Sequence, residues 1–179
     1  MKKLATLLVA LVASVSTFAQ VEKGTITLQP MVGLIEASTT AEGATYHAGF
    51  IGGVEGAYQV SNRVGVSVGA LYAMQGTGQS DINTLNIPVL CNVYVWKGLA
   101  VKAGVQPEIV LSASANGVDF KDEVKTANVS IPVGASYDFP FGLTLDARYN
   151  IGVTNMSAVE GFSANNCAFQ ITAGYKFKL

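Results

Sequence analysis

Charge is scarce in this sequence. Asp, Glu, Lys and Arg occupy 13% of its 179 positions, about half the share found in an average soluble domain. The formal net charge is −1, and no basic patch supplies the electrostatic footprint that nucleic acid requires. Histidine occurs once, at position 47, and cysteine twice, at 91 and 167. Neither cysteine has metal-ligand spacing around it. Beyond the N-terminus no apolar run reaches the roughly 18 residues of a membrane-spanning helix. The glycines open no phosphate-binding loop: a match such as Gly49 to Gly53 lacks the helix that such a loop must open.

Apolar residues nonetheless make up half the chain, and glycine is abundant at 19 residues. Little charge, high apolar content and no spanning helix together give the composition of a membrane β-barrel, whose strands are short and only half apolar. The stretch 143–154 makes the case locally. Leu143, Leu145, Ala147, Tyr149, Ile151 and Val153 alternate with Thr144, Asp146, Arg148, Asn150, Gly152 and Thr154. Side chains alternate across a strand, so its two faces meet unlike surroundings. A helix would need apolar positions three and four apart.

The start of the chain reads as a leader. Lys2 and Lys3 precede an apolar core from Leu4 to Ala13, too short to span, and Thr17-Phe18-Ala19 is a small-x-small cleavage site. Residues 1–19 are therefore expected to be a signal peptide and 20–179 the mature domain. Losing the two lysines takes the formal charge from −1 to −3. No cysteine follows the cleavage site, which argues against a lipoprotein.

Seven further stretches alternate in the same way, near 25–37, 46–60, 64–75, 84–96, 99–111, 125–139 and 167–179. With 143–154 they make eight strands. The connections run long, short, long, short, long, short, long: 38–45, 61–63, 76–83, 97–98, 112–124, 140–142 and 155–166. Short periplasmic turns and longer outer loops are the rhythm of a transmembrane barrel. The expected fold is all-β: an eight-stranded antiparallel up-and-down transmembrane β-barrel, both ends of the chain on the periplasmic side.

A soluble, lipocalin-like barrel would turn the apolar faces inward. Three features argue for the opposite. The polar faces are rich in Gly, Ser, Thr, Asn and Gln, small enough for the cramped interior of eight strands. The apolar faces carry no charge across their middle. Aromatics gather near strand ends as two interfacial girdles: Tyr58, Tyr137, Phe139, Tyr175 and Phe177 toward the short turns, Tyr46, Phe50, Tyr72 and Phe169 toward the long loops. The interior is expected to be closed and filled by small polar residues. Pro30, Pro88, Pro107 and Pro132 fall inside strands, where each removes a ladder donor. Pro88 and Pro132, in the repeated phrase Ile-Pro-Val, are expected at bulges or near the rim.

Leu85-Asn86-Ile87-Pro88-Val89, Gly104-Val105-Gln106-Pro107-Glu108 and Ala147-Arg148-Tyr149-Asn150-Ile151-Gly152 resemble the PorT-like outer-membrane β-barrel domain family. The terminal Gly174-Tyr175-Lys176-Phe177 resembles the aromatic insertion signal of outer-membrane barrels, with Leu179 in place of the commoner final Phe. The resemblance implies the same fold, an outer-membrane location and, for some members, a link to protein secretion. It brings no catalytic or ligand residues.

Candidate chemistry is thin. Inward-facing charges are expected at Glu55, Lys102, Glu108, Asp146, Arg148, Lys176 and Lys178, read as a structural salt-bridge network plugging the interior, since an unpaired buried charge is costly. The sharper alternative is an ion path. His47, near Ser38 and Asp81 at the outer rim, could complete a hydrolytic triad only if the geometry were fixed by something the sequence does not show. Cys91 and Cys167 differ in strand and height, so two free thiols are expected. No catalytic, cofactor or metal residues are assigned. The expected function is non-enzymatic: an integral outer-membrane barrel with a structural or surface-interaction role through its outer loops. An accessory role in protein export, a narrow pore and a rim enzyme are the alternatives. Expected partners are outer-membrane lipid and envelope or secretion proteins, not nucleic acid, and the chain is expected to be a monomer.

Overall fold

The computed structural model describes residues 22–39, 46–77, 80–115, 118–119, 126–154 and 166–179. The leader at 1–19 lies outside them. The described chain forms eight staves: β1 Ile26–Thr39, β2 Tyr46–Gln59, β3 Val64–Thr77, β4 Ser80–Asn86 resuming as Val89–Trp96, β5 Leu99–Ala115, β6 Ala127–Asp138, β7 Leu143–Gly152, and β8 Asn166–Tyr175 with a continuation Phe177–Lys178. Val118–Asp119 folds back on the end of β5. Each stave pairs antiparallel with the next, and β8 pairs with β1 from Met31↔Gly174 to Thr39↔Asn166. The sheet is closed. Hydrocarbon offers no hydrogen bonds to a free edge, so closure is what lets strands span a bilayer.

The register also fixes the stagger. Pairs followed around the ring from Ile26 run through Tyr58, Val66, Cys91, Ala103, Val133, Tyr149 and Phe169 to Glu36. The circuit returns to β1 ten residues beyond its start. Such a shear tilts the strands, by roughly 35–45° in closed barrels.

Exposure is inside out. Val32, Leu34 and Phe50 are 69%, 62% and 65% exposed, while Arg148 is 1% exposed. The apolar faces point outward on every stave, as the small polar faces require. Tyr58, Tyr175 and Phe177 ring the short-turn end, where Tyr137 stands edge-on to Phe139 with centroids 4.8 Å apart. Trp96 and Phe141, both exposed, extend this lower girdle. Phe50, Tyr72 and Phe169 face outward in the upper half; the side chain of Tyr46 lies outside the described residues.

The short turns hold by local bonds. Ser61 Oγ accepts from Val64 N at 3.1 Å. In the two-residue turn, Lys97 takes a left-handed φ of 43°, and its ammonium sits 5.4 Å from the Trp96 ring centroid. At the outer end the strands run further than expected. Residues 76–83 were expected to form a loop, yet Thr77 pairs with Ser80, leaving only Gly78 and Gln79 between them. β5 likewise extends through 112–115 of the expected loop 112–124. Beyond the hydrocarbon both faces of a hairpin meet water, so polar residues there are compatible with pairing.

The prolines correct a second expectation. Pro88 and Pro132 lie mid-strand, and neither marks a bulge. The pairs Leu71↔Asn86 and Val68↔Val89 keep one register across Pro88, and Pro132 itself pairs with Asn150. The ladder loses a donor at Pro88 but keeps Gly69 N donating to Pro88 O at 2.9 Å. Gly69 lies opposite, and a Cβ there would sit 3.2 Å from Pro88 Cγ. Glycine thus makes room for the ring. The bulges fall elsewhere, beside Asn83/Thr84 and between Tyr94 and Trp96.

Candidate functional site

Alternation decides which charges face inward; strand tilt and register decide which of them meet. Four meet in one layer. Lys102 Nζ on β5 donates to Glu55 Oε1 at 3.0 Å and to Asp146 Oδ2 at 2.8 Å. Arg148 on β7 reaches Glu55 Oε2 through Nη2 at 2.6 Å, and its Nε lies 2.6 Å from Asp146 Oδ1. None of the four side chains is more than 5% exposed. Two cations and two carboxylates alternate, so the layer is neutral and ties β2, β5 and β7 together across the interior.

The other inward charges do not join it. Lys176 pairs instead with Asp138 Oδ2 at 2.5 Å, nearer the short-turn mouth, where Tyr94 Oη donates to the same oxygen at 2.8 Å. Asp138 was not among the expected charges, although alternation from Ser136 already points it inward. Glu108 lies six residues beyond Lys102 on β5, about 20 Å along an extended strand. Its Oε1 accepts from Gln106 Nε2 at 2.9 Å and Ser130 Oγ at 2.6 Å. Lys178 is exposed at the C-terminal end and is not an interior charge.

The rest of the interior corrects the expectation of a uniformly small polar filling. On one wall Met31, Ile35, Ile51, Leu71, Ala73 and Ala168 form an inward apolar cluster from β1, β2, β3 and β8. The facing wall, from β4 to β7, carries buried Thr84, Asn86, Gln106, Glu108, Ser130 and Asn150. The signal was faint in the sequence. Met31 lies between Pro30 and Val32, and Leu71 between Ala70 and Tyr72, so alternation loses contrast there.

A cavity of about 10 Å³ beside the charged layer, lined by Gln29, Glu55, Asn92, Tyr94, Lys102 and Lys176, holds about one water. At the outer rim the backbone places His47 opposite Ala37 and next to Ser38, while Asp81 lies on β4, with β3 between it and His47. The side chains of Ser38, His47 and Asp81 lie outside the described residues. No cluster of three or more His, Cys, Asp or Glu occurs among the described residues. Cys91 and Cys167 are free thiols.

An apolar skin around a closed, charge-paired interior is the organisation of a membrane barrel. A family model described as "Outer membrane protein beta-barrel domain" matches residues 5–177. The chain belongs to the outer membrane protein beta-barrel domain family. As a member of that family it is an outer-membrane protein. None of the curated proteins matches it. Among solved structures, it is similar to Ail, the attachment invasion locus protein of Yersinia pestis, at 14% identity and a TM-score of 0.57, covering 87% of this chain and 99% of that one. Neisserial surface protein A is similar at 17% identity and 0.56, covering 86% and 97%. OprG of Pseudomonas aeruginosa is similar at 13% and 0.52, covering 89% and 99%. At these identities the likeness is one of fold, and it places the family's β-barrel domain in the same eight-stranded class.

Proposed function

We propose that this outer-membrane barrel is non-enzymatic and works through its outer loops, the strands serving as a rigid frame that holds those loops at the cell surface. The closed interior carries the reading. Among the described residues a neutral four-charge layer and an inward apolar cluster occupy the interior, which favours a plugged barrel over a pore. The backbone puts Asp81 and His47 on staves that are not neighbours, so no ladder pairing assembles a rim triad. What remains is the pair of surfaces outside the lumen. Loops on a rigid scaffold are where variable recognition sits. The outward skin contacts lipid, and a groove of about 450 Å³ over Gly52, between Leu34, Phe50 and Tyr72, suits an acyl chain. The working unit is read as a monomer: ring closure removes edge-to-edge strand pairing as a route to a second copy.

The second reading is an accessory role in export, as a PorT-like barrel. It rests on the phrases around Asn86, Gln106 and Arg148. One experiment separates the two: crosslinked partners are recovered from intact outer membranes with the natural chain and with segments 40–45 and 155–165 replaced by Gly-Ser linkers. The loop reading expects partners that vanish with the loops. An export component captured equally by both forms would replace it with the export reading. A steady wild-type current in planar bilayers would sink both in favour of a pore.

A further inference from the structure

Among the described residues one buried carboxylate is left without a cation. Glu55 and Asp146 are matched by Lys102 and Arg148, and Asp138 by Lys176. No ion pair among the described residues involves Glu108, which is 7% exposed. The described interior therefore carries one net negative charge, and it sits at this position. A buried charge without a partner is costly, so a positive ion is the complement this position calls for.

The surroundings are rich in oxygen. Asn86 lies directly opposite Glu108 in the β4–β5 register, on the same inward face, where paired Cβ atoms lie roughly 4.5–5.5 Å apart. It is 1% exposed, and its Oδ1 has no hydrogen-bond partner among the described residues. Gln106 is 0% exposed; its Nε2 donates to Glu108, while its Oε1, on the same amide, is also without a partner. Thr84, one step further on β4, adds an unpartnered Oγ1. Glu108 Oε1 already accepts from Gln106 Nε2 and Ser130 Oγ; the two unpartnered amide oxygens and the hydroxyl on the adjoining inward positions are hard donors. Soft metals prefer sulfur or imidazole; oxygen-only sets suit hard cations.

We propose that Glu108, with Asn86, Gln106 and Thr84, holds a hard cation of the sodium or calcium class inside the barrel, on the polar wall facing the apolar cluster. One carboxylate among neutral oxygens matches a monovalent ion in charge and would hold a divalent one at the weak end of its range. Because the barrel closes around the site, the ion is taken up as the strands assemble. It thereby links β4 to β5 beside the break at 87–88, where the two segments of β4 meet.

The test uses the mature chain refolded from urea into phosphatidylcholine bilayers, which add no anionic headgroups. Refolding is carried out in sodium, calcium or tetramethylammonium chloride at equal ionic strength. The thermal midpoint is expected to rise with the logarithm of sodium or calcium concentration and to stay flat in tetramethylammonium, which is too large for the site. Whichever ion acts at lower concentration identifies the native charge class. Glu108→Gln should abolish the dependence. Asn86→Ala, which keeps the carboxylate, should shift half-saturation upward by roughly tenfold or more. It also supplies the answer should Glu108→Gln not fold. A midpoint equal in all three salts would overturn the proposal. So would the same salt dependence in Asn86→Ala as in the natural chain.

Discussion

Arg148 on β7 reaches across the interior to Glu55 on β2, with 2.6 Å between Nη2 and Oε2. The two are 93 residues apart in sequence, and the bond exists only because the sheet has closed. Removing one partner leaves the other buried and charged. Arg148→Ala is therefore expected to destabilise the barrel by roughly 3–5 kcal/mol, read as a lower urea midpoint in lipid vesicles. It should open no steady current in planar bilayers, because the inward apolar cluster around Leu71 and Ile51 is left in place. A large constant conductance from this variant would contradict the sealed-lumen reading.

Glycines divide by what a methyl group would meet. At Gly104 a Cβ would lie 2.0 Å from Val89 O, a clash with backbone that cannot step aside. At Gly56 the nearest atom is 3.9 Å away. Gly104→Ala should prevent formation of the compact, heat-modifiable band on cold gels, whereas Gly56→Ala should fold like the natural chain. Equal folding of both would mean that the strands around β5 are looser than the register indicates.

The outward skin should respond to charge by depth. Val105 lies mid-strand on β5 and is half exposed to the surroundings; Val60 follows β2 at the short turn. Val105→Arg is expected to cost about 2–4 kcal/mol and Val60→Arg about 0–1, compared by reversible unfolding from bilayers. Similar costs at the two sites would put the membrane midplane elsewhere.

Gly69 and Pro88 should be energetically coupled. A methyl group at 69 presses on Pro88 Cγ at 3.2 Å and on Val54 O at 3.1 Å. Gly69→Ala should thus cost less in a Pro88→Ala background than alone, with a coupling of about 0.5 kcal/mol or more. Part of the cost will persist, since the contact with Val54 O does not involve the proline. A double-mutant cycle returning zero would remove the steric link between them.

How much of this was legible in one dimension varies by residue. The alternation of Leu143, Leu145, Tyr149 and Ile151 with Thr144, Asp146, Arg148 and Asn150 is a period-two signal, and it named both the strand and its faces. The short turns at Ser61-Asn62-Arg63 and Lys97-Gly98 were equally plain. The outer hairpin at Thr77 and Ser80 was not, because polarity there reflects water on both faces rather than an end to pairing.

By itself the sequence determined the strand count, the inward and outward sets, and so the solvent each face must meet, because those depend only on neighbours along the chain. Tertiary structure alone decided that Glu55, Lys102, Asp146 and Arg148 share a layer while Glu108 and Lys176 do not. It also decided that Met31 and Leu71 build an apolar wall. The physical reason is the ten-residue stagger of the closed sheet. Height inside a tilted barrel is set by register between strands, and no stretch of chain read alone contains it.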